Sequence, residues 1–94
     1  MVTGTWESYG NYLAMVGGNC YEGDFGTVVE VGVRYALGDP SLSSPMIASA
    51  GNATGSPFNA WASGLSNGDW YYAAYVKTAD GSYFYGDVKV AAYP

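Results

Sequence analysis

Ninety-four residues with a net charge of −5 and only three cations, Arg34, Lys77 and Lys89, make a single domain (1–94) ill suited to nucleic acid or to anionic membrane surfaces. Hydrophobic residues at 49% exclude a disordered chain, and no apolar run reaches the ~18 residues of a membrane span. With no histidine and one cysteine, the chain lacks Ser–His and Cys–His pairs, zinc-ligand spacing and an internal disulfide.

Met1-Val2-Thr3-Gly4 has neither the basic start nor the apolar stretch of a signal peptide. The expectation is therefore an excised module, or a protein that reaches its destination without secretion. Residues 1–11 predict a frayed start and a short edge strand around Thr5–Glu7. Tyr12 to Tyr21 predicts a strand with Ala14, Val16, Gly18 and Cys20 inward, which puts Leu13 and Met15 outside. Cys20 then acts as a small buried hydrophobe, with no nearby cation to stabilise a thiolate. Glu22-Gly23-Asp24 turns the chain. Val28 to Ala36 is a strand with Val29, Val31, Val33 and Tyr35 on the core face and Glu30, Gly32 and Arg34 on the wet one.

Gly38 to Gly55 is irregular, with Pro40 and Pro45, and holds a short edge strand near Met46–Ser49. Its Asn52-Ala53-Thr54 triplet matches a glycosylation acceptor, a pattern that arises often by chance. Phe58 to Ser63 alternates Phe58, Ala60 and Ala62 inward with Asn59 and Trp61 outward. Ser66-Asn67-Gly68-Asp69 is turn chemistry, and Trp70 to Thr78 is a long strand of aromatic and β-branched residues. Asp80-Gly81 marks a hairpin, returned by one strand from Tyr83 to Ala92. Trp70, Tyr72, Ala74, Val76, Phe84, Val88, Val90 and Ala92 are expected inside. Tyr71, Ala73, Tyr75, Lys77, Tyr83, Tyr85, Asp87 and Lys89 are expected on the wet face. About seven short strands with no helical period, repeat or linker predict an all-β antiparallel sandwich.

Glu30-Val31-Gly32-Val33-Arg34-Tyr35 has the pattern E-x-G-φ-x-Y, and Val16-Gly17-Gly18-Asn19-Cys20 is similar to L-x-G-x-V. Both resemble strands of the fibronectin type III-like, immunoglobulin-like modules abundant in Bacteroidetes surface proteins. Phe58 and Leu65 are similar to the lead into the turn. Tyr71-Tyr72-Ala73-Ala74-Tyr75-Val76 resembles the YYRAYV strand, and Tyr85-Gly86-Asp87 the return. Ala73 departs from the pattern, standing where those modules carry Arg, so an Arg–Glu30 ion pair is missing. The turn before Trp70 is one residue short, which leaves the corner tyrosine between Trp70 and Tyr71. The resemblance implies a non-catalytic spacer, adhesion or ligand-binding module at a cell surface, or on a virion, where related domains occur.

For function, Asp80 and Asp87 do not make the facing carboxylates of a glycosidase, and neither a calcium loop nor a phosphate-cradling loop is present. The expectation is a structural or adhesive module without cofactor, whose partners are other protein subunits. Tyr71, Tyr75, Tyr83 and Tyr85 beside Arg34 form its candidate contact face. The blander expectation for these tyrosines is cross-strand packing. The alternative is a carbohydrate-binding platform, since tyrosine offers an apolar face and a polar tip. Trp61, with Leu13 and Met15, is expected to form a second apolar patch, either an inter-subunit contact or one covered by a terminus or by the Gly38–Gly55 loop.

Overall fold

The computed structural model describes residues 3–9, 12–18, 25–51 and 58–93, the side chains of 7–9 and 12–18 excepted. Cys20, the turn at Glu22–Asp24 and the Asn52–Thr54 triplet lie outside the described residues.

Alternation of large apolar and small or polar side chains produces eight antiparallel strands among those residues. They are β1 (Thr5–Tyr9), β2 (Tyr12–Gly18), β3 (Val28–Leu37), β4 (Met46–Ser49), β5 (Phe58–Ser63), β6 (Gly68–Thr78), β7 (Tyr83–Tyr85) and β8 (Lys89–Tyr93). One sheet runs β1-β2-β5 and the other β4-β3-β6-β7, with β8 also pairing β6. One apolar cluster draws on both sheets. Phe58, Ala60 and Ala62 come from β5, and Val31, Val33, Tyr35, Trp70, Tyr72, Ala74 and Val76 from β3 and β6. Trp6 closes the cluster, its ring 4.4 Å from that of Tyr72 and 6.0 Å from that of Tyr35.

β6 is the longest strand because Gly68 to Thr78 contains no internal breaker, and it begins two residues before the expected Trp70. Trp70 is buried, and its indole N–H finds an acceptor in the Ser66 carbonyl at 2.9 Å. Trp70→Phe should cost about 1 kcal/mol beyond the loss in ring size, because that carbonyl is left without its donor. Urea unfolding measures it, and an unchanged midpoint would contradict the role.

The hairpin after β6 closes through Asp80, whose carboxylate accepts from Thr78 Oγ1 and from the Ser82 amide at 3.0 Å. Gly81 supplies the positive φ of 89° that the turn requires. A second carboxylate orders the loop between β3 and β4. Asp39 accepts from the amides and hydroxyls of both Ser41 and Ser43. Those bonds, the Ser41 hydroxyl first, lower its pKa from 3.8 to about 2. A folded-state pKa below the unfolded one gives stabilisation that is present at neutral pH and lost as pH falls. The loop should therefore loosen between about pH 4 and pH 2, seen as movement of the Ser41 and Ser43 amide resonances, and Asp39→Ala should show it at neutral pH.

Four expectations are corrected. First, Val29 is exposed and Val28 buried, because the pairing of β3 with β6 slips by one between Val28 and Glu30. That bulge inserts one residue and exchanges the faces. Second, the return strand is two strands separated by Gly86-Asp87-Val88. Val88 is 45% exposed, Val90 54%, and Phe84 and Ala92 are exposed as well. Past the break the parity is reversed, so Ala91 and Tyr93 pack on the core while Val90 pairs with Tyr71. Lys89 leaves the wet face for the same reason, lying opposite buried Tyr72. Third, the register sets Leu13 opposite Ala62 and Met15 opposite Ala60, the buried positions of β5, not opposite Trp61. Fourth, Ala73 and Tyr75 are fully buried although they belong to the outer face.

Candidate functional site

The outer face of the larger sheet gathers most of the candidate residues, and cross-strand register explains how. Arg34 stands opposite Ile47 of β4 and Ala73 of β6. Tyr75 stands opposite Gly32 on one side and Tyr85 on the other, and Lys77 opposite Tyr83. Directly paired residues point to the same side of a sheet, so these form one surface.

Gly32 decides what Tyr75 does. An added Cβ at Gly32 would lie 2.7 Å from Tyr75 Cε1 and 2.8 Å from its hydroxyl oxygen, so the ring lies down across the glycine. Tyr75 is consequently 2% exposed, and its hydroxyl donates a short hydrogen bond to Glu30 Oε2. Burial, followed by that bond to a carboxylate, pushes the phenol pKa far upward. The tyrosine expected at the centre of an exposed platform is a structural tie between β3 and β6.

Ala73 explains Arg34. With only a methyl on β6, the guanidinium reaches over it to the next strand and sits 3.8 Å from the centroid of the Tyr85 ring. Its Nε is buried with no hydrogen-bond partner among the described residues. Lys77 makes a looser contact, 5.6 Å above Tyr83. The Tyr83 and Tyr85 rings are nearly parallel, 11° apart in plane and 6.3 Å between centroids, and each is about half exposed. Glu30, Arg34, Ile47, Tyr75, Tyr83 and Tyr85 surround an open notch of about 90 Å³. Pockets that enclose a small molecule run to ~300 Å³ or more, so this notch can grip a side chain but not surround a substrate.

Of the remaining candidates, Tyr71 is half-buried on the same face beside Val90. Trp61, 52% exposed, belongs to the outer side of the other sheet, opposite Ala14, and does not join the notch. Sequence reasoning missed Ile47, whose only signal was its place on the short edge strand beside Arg34, and Val90, hidden by the reversal at Gly86–Val88. Among the described residues no three potential metal ligands come together, and no helix is long and apolar enough to cross a membrane.

Comparison with protein-family models, curated proteins and solved structures finds no match to this chain. Function must therefore be argued from the surface itself.

Proposed function

We propose that the chain is a non-catalytic fibronectin type III-like, immunoglobulin-like sandwich module. It serves as a structural or adhesive element of a surface-exposed or virion-exposed assembly and binds another protein subunit through the outer face of the larger sheet. The strand order supports the architecture: β1-β2-β5 against β4-β3-β6-β7 puts the fourth strand beside the third, unlike the constant-type immunoglobulin order, in which it joins the first sheet.

One observation carries the functional part. Ile47, Tyr83, Tyr85 and Val90, each about half exposed, occupy the same face as Arg34. Clustered aromatic and aliphatic side chains around an arginine are the composition of an interface centre, and a monomer gains nothing by keeping them wet. A photo-crosslinking residue placed at Tyr83 or Ile47 in the native source should capture one defined subunit, whereas the same residue at exposed Asn67 should not. Equal labelling from all three positions would overturn the assignment.

A second reading, a carbohydrate-binding module, is favoured by the near-parallel exposed rings of Tyr83 and Tyr85. Retardation in a polysaccharide gel, abolished by Tyr85→Ala, would support it. Absence of retardation by any polysaccharide would remove it.

A further inference from the structure

The outer-face notch has a chemical preference of its own. In a chain of eight carboxylates and three cations, two of the cations, Arg34 and Lys77, stand on this face over Tyr85 and Tyr83. One carboxylate, that of Glu30, also lines the notch, where it accepts from the Tyr75 hydroxyl. Among the described residues no carboxylate pairs with the guanidinium, which lies over the π-face of Tyr85. Its Nε is covered, which leaves the terminal nitrogens as the donors able to meet an incoming group. Guanidinium nitrogens match the two oxygens of a carboxylate, and the flanking Ile47 and tyrosine rings offer apolar contact on either side.

We infer that the notch receives a glutamate or aspartate side chain of the partner protein, flanked by apolar residues, with its carboxylate on the terminal nitrogens of Arg34. This rests on the protein-interface reading above and names the recognised group. The exposed apolar side chains set where the partner lies. Arg34, pre-positioned by Tyr85 and made reachable by the small Ala73, sets which residue it must present. Lys77 stands at the Tyr83 end, directly across the ladder from Glu30, so the positive charge that remains for an incoming group is that of Arg34.

Arg34 is the only arginine in the chain, so its Nε–Hε resonance is unique and reports directly on the notch. The probes are a blocked tripeptide with glutamate between two leucines and its glutamine counterpart, titrated at equal ionic strength into the intact protein. The glutamate peptide should shift this resonance saturably and bind about tenfold or more tightly than the glutamine peptide, the value of one charge-assisted contact. Arg34→Gln should abolish the difference, followed through the amide resonances of Tyr83 and Tyr85. Tyr85→Leu, which keeps the apolar bulk, should weaken glutamate binding and leave the glutamine peptide unchanged. Equal binding of the two peptides would overturn the carboxylate preference while leaving the interface standing. Absence of saturable binding, or glutamate binding that survives Arg34→Gln, would overturn it too. Saturable binding of polygalacturonate with no binding of either peptide would transfer the site to acidic glycans and overturn the protein-partner assignment.

Discussion

Gly32→Ala should destabilise the fold by about 2–3 kcal/mol, although alanine is smaller than almost any other side chain that β3 carries. The added Cβ would stand 2.4 Å from the Ala48 carbonyl oxygen, a backbone atom of the neighbouring strand, as well as under the Tyr75 ring. A flexible ring can move aside, but the carbonyl belongs to the β3–β4 ladder and moves only if that pairing opens. Tyr75→Ala should cost about 3–5 kcal/mol, because it empties a fully buried aromatic position and uncovers the glycine. Combining the two tests the geometry. If the carbonyl is the main obstacle, Gly32→Ala keeps most of its cost in the Tyr75→Ala background. If the ring is, the cost largely disappears. Denaturant unfolding of the four proteins decides, and a Gly32→Ala midpoint within about 0.5 kcal/mol of the parent would refute the close approach.

The same pair shows how far the sequence could be read. Alternation alone placed Phe58, Ala60 and Ala62 against Asn59 and Trp61, because the slip in the β2–β5 pairing falls between Met15 and Gly18 of β2 and leaves the alternation of β5 intact. It assigned Tyr75 to its face correctly and its exposure wrongly. Whether an outward tyrosine stands up or lies down depends on the residue across the ladder, here a glycine 43 positions away, and register is not written in either strand alone. Val28 and Val29 are indistinguishable by composition, so the bulge that buries one and exposes the other left no trace. The Gly86-Asp87 pair, by contrast, was a legible signal, since glycine within a strand often marks a break. Taking Tyr83 to Ala92 as continuous carried the wrong parity into every residue after it. For the candidate face, the tyrosines and Arg34 were visible in sequence. The notch was not, because it depends on Ala73 being small at the one place where Arg34 must pass.

That break also creates a long-range polar dependence, which Thr3→Val is expected to expose. Where the return strand leaves β6 at Gly86–Val88, β6 has no strand to satisfy the buried Ala74 amide. Thr3, from the far end of the chain, fills the gap. Its Oγ1 accepts from the Ala74 amide at 3.1 Å and donates to the Asp87 carbonyl, while Gly86 donates to the Ala74 carbonyl. Gly4 beside it accepts from the Tyr72 hydroxyl. Thr3 is 1% exposed, so water cannot replace it. Valine keeps the shape and removes both bonds, leaving a buried donor and a part-buried acceptor unpaired, at an expected cost of about 2–3 kcal/mol. Thr3→Ser keeps the hydroxyl and should recover most of that. Hydrogen exchange locates the effect: protection of the Ala74 amide should fall by about 30- to 100-fold in the valine variant and little in the serine one. Equal stability of the threonine and valine proteins would mean that the slot is satisfied some other way. The consequence reaches the candidate interface, because the break stitched by Thr3 is what turns Val90 to the outer face beside Tyr71. Loosening it should disturb the Val90 end of that surface while leaving Arg34 on Tyr85, since β7 pairs with β6 before the gap and β3 pairs with the opposite edge of β6.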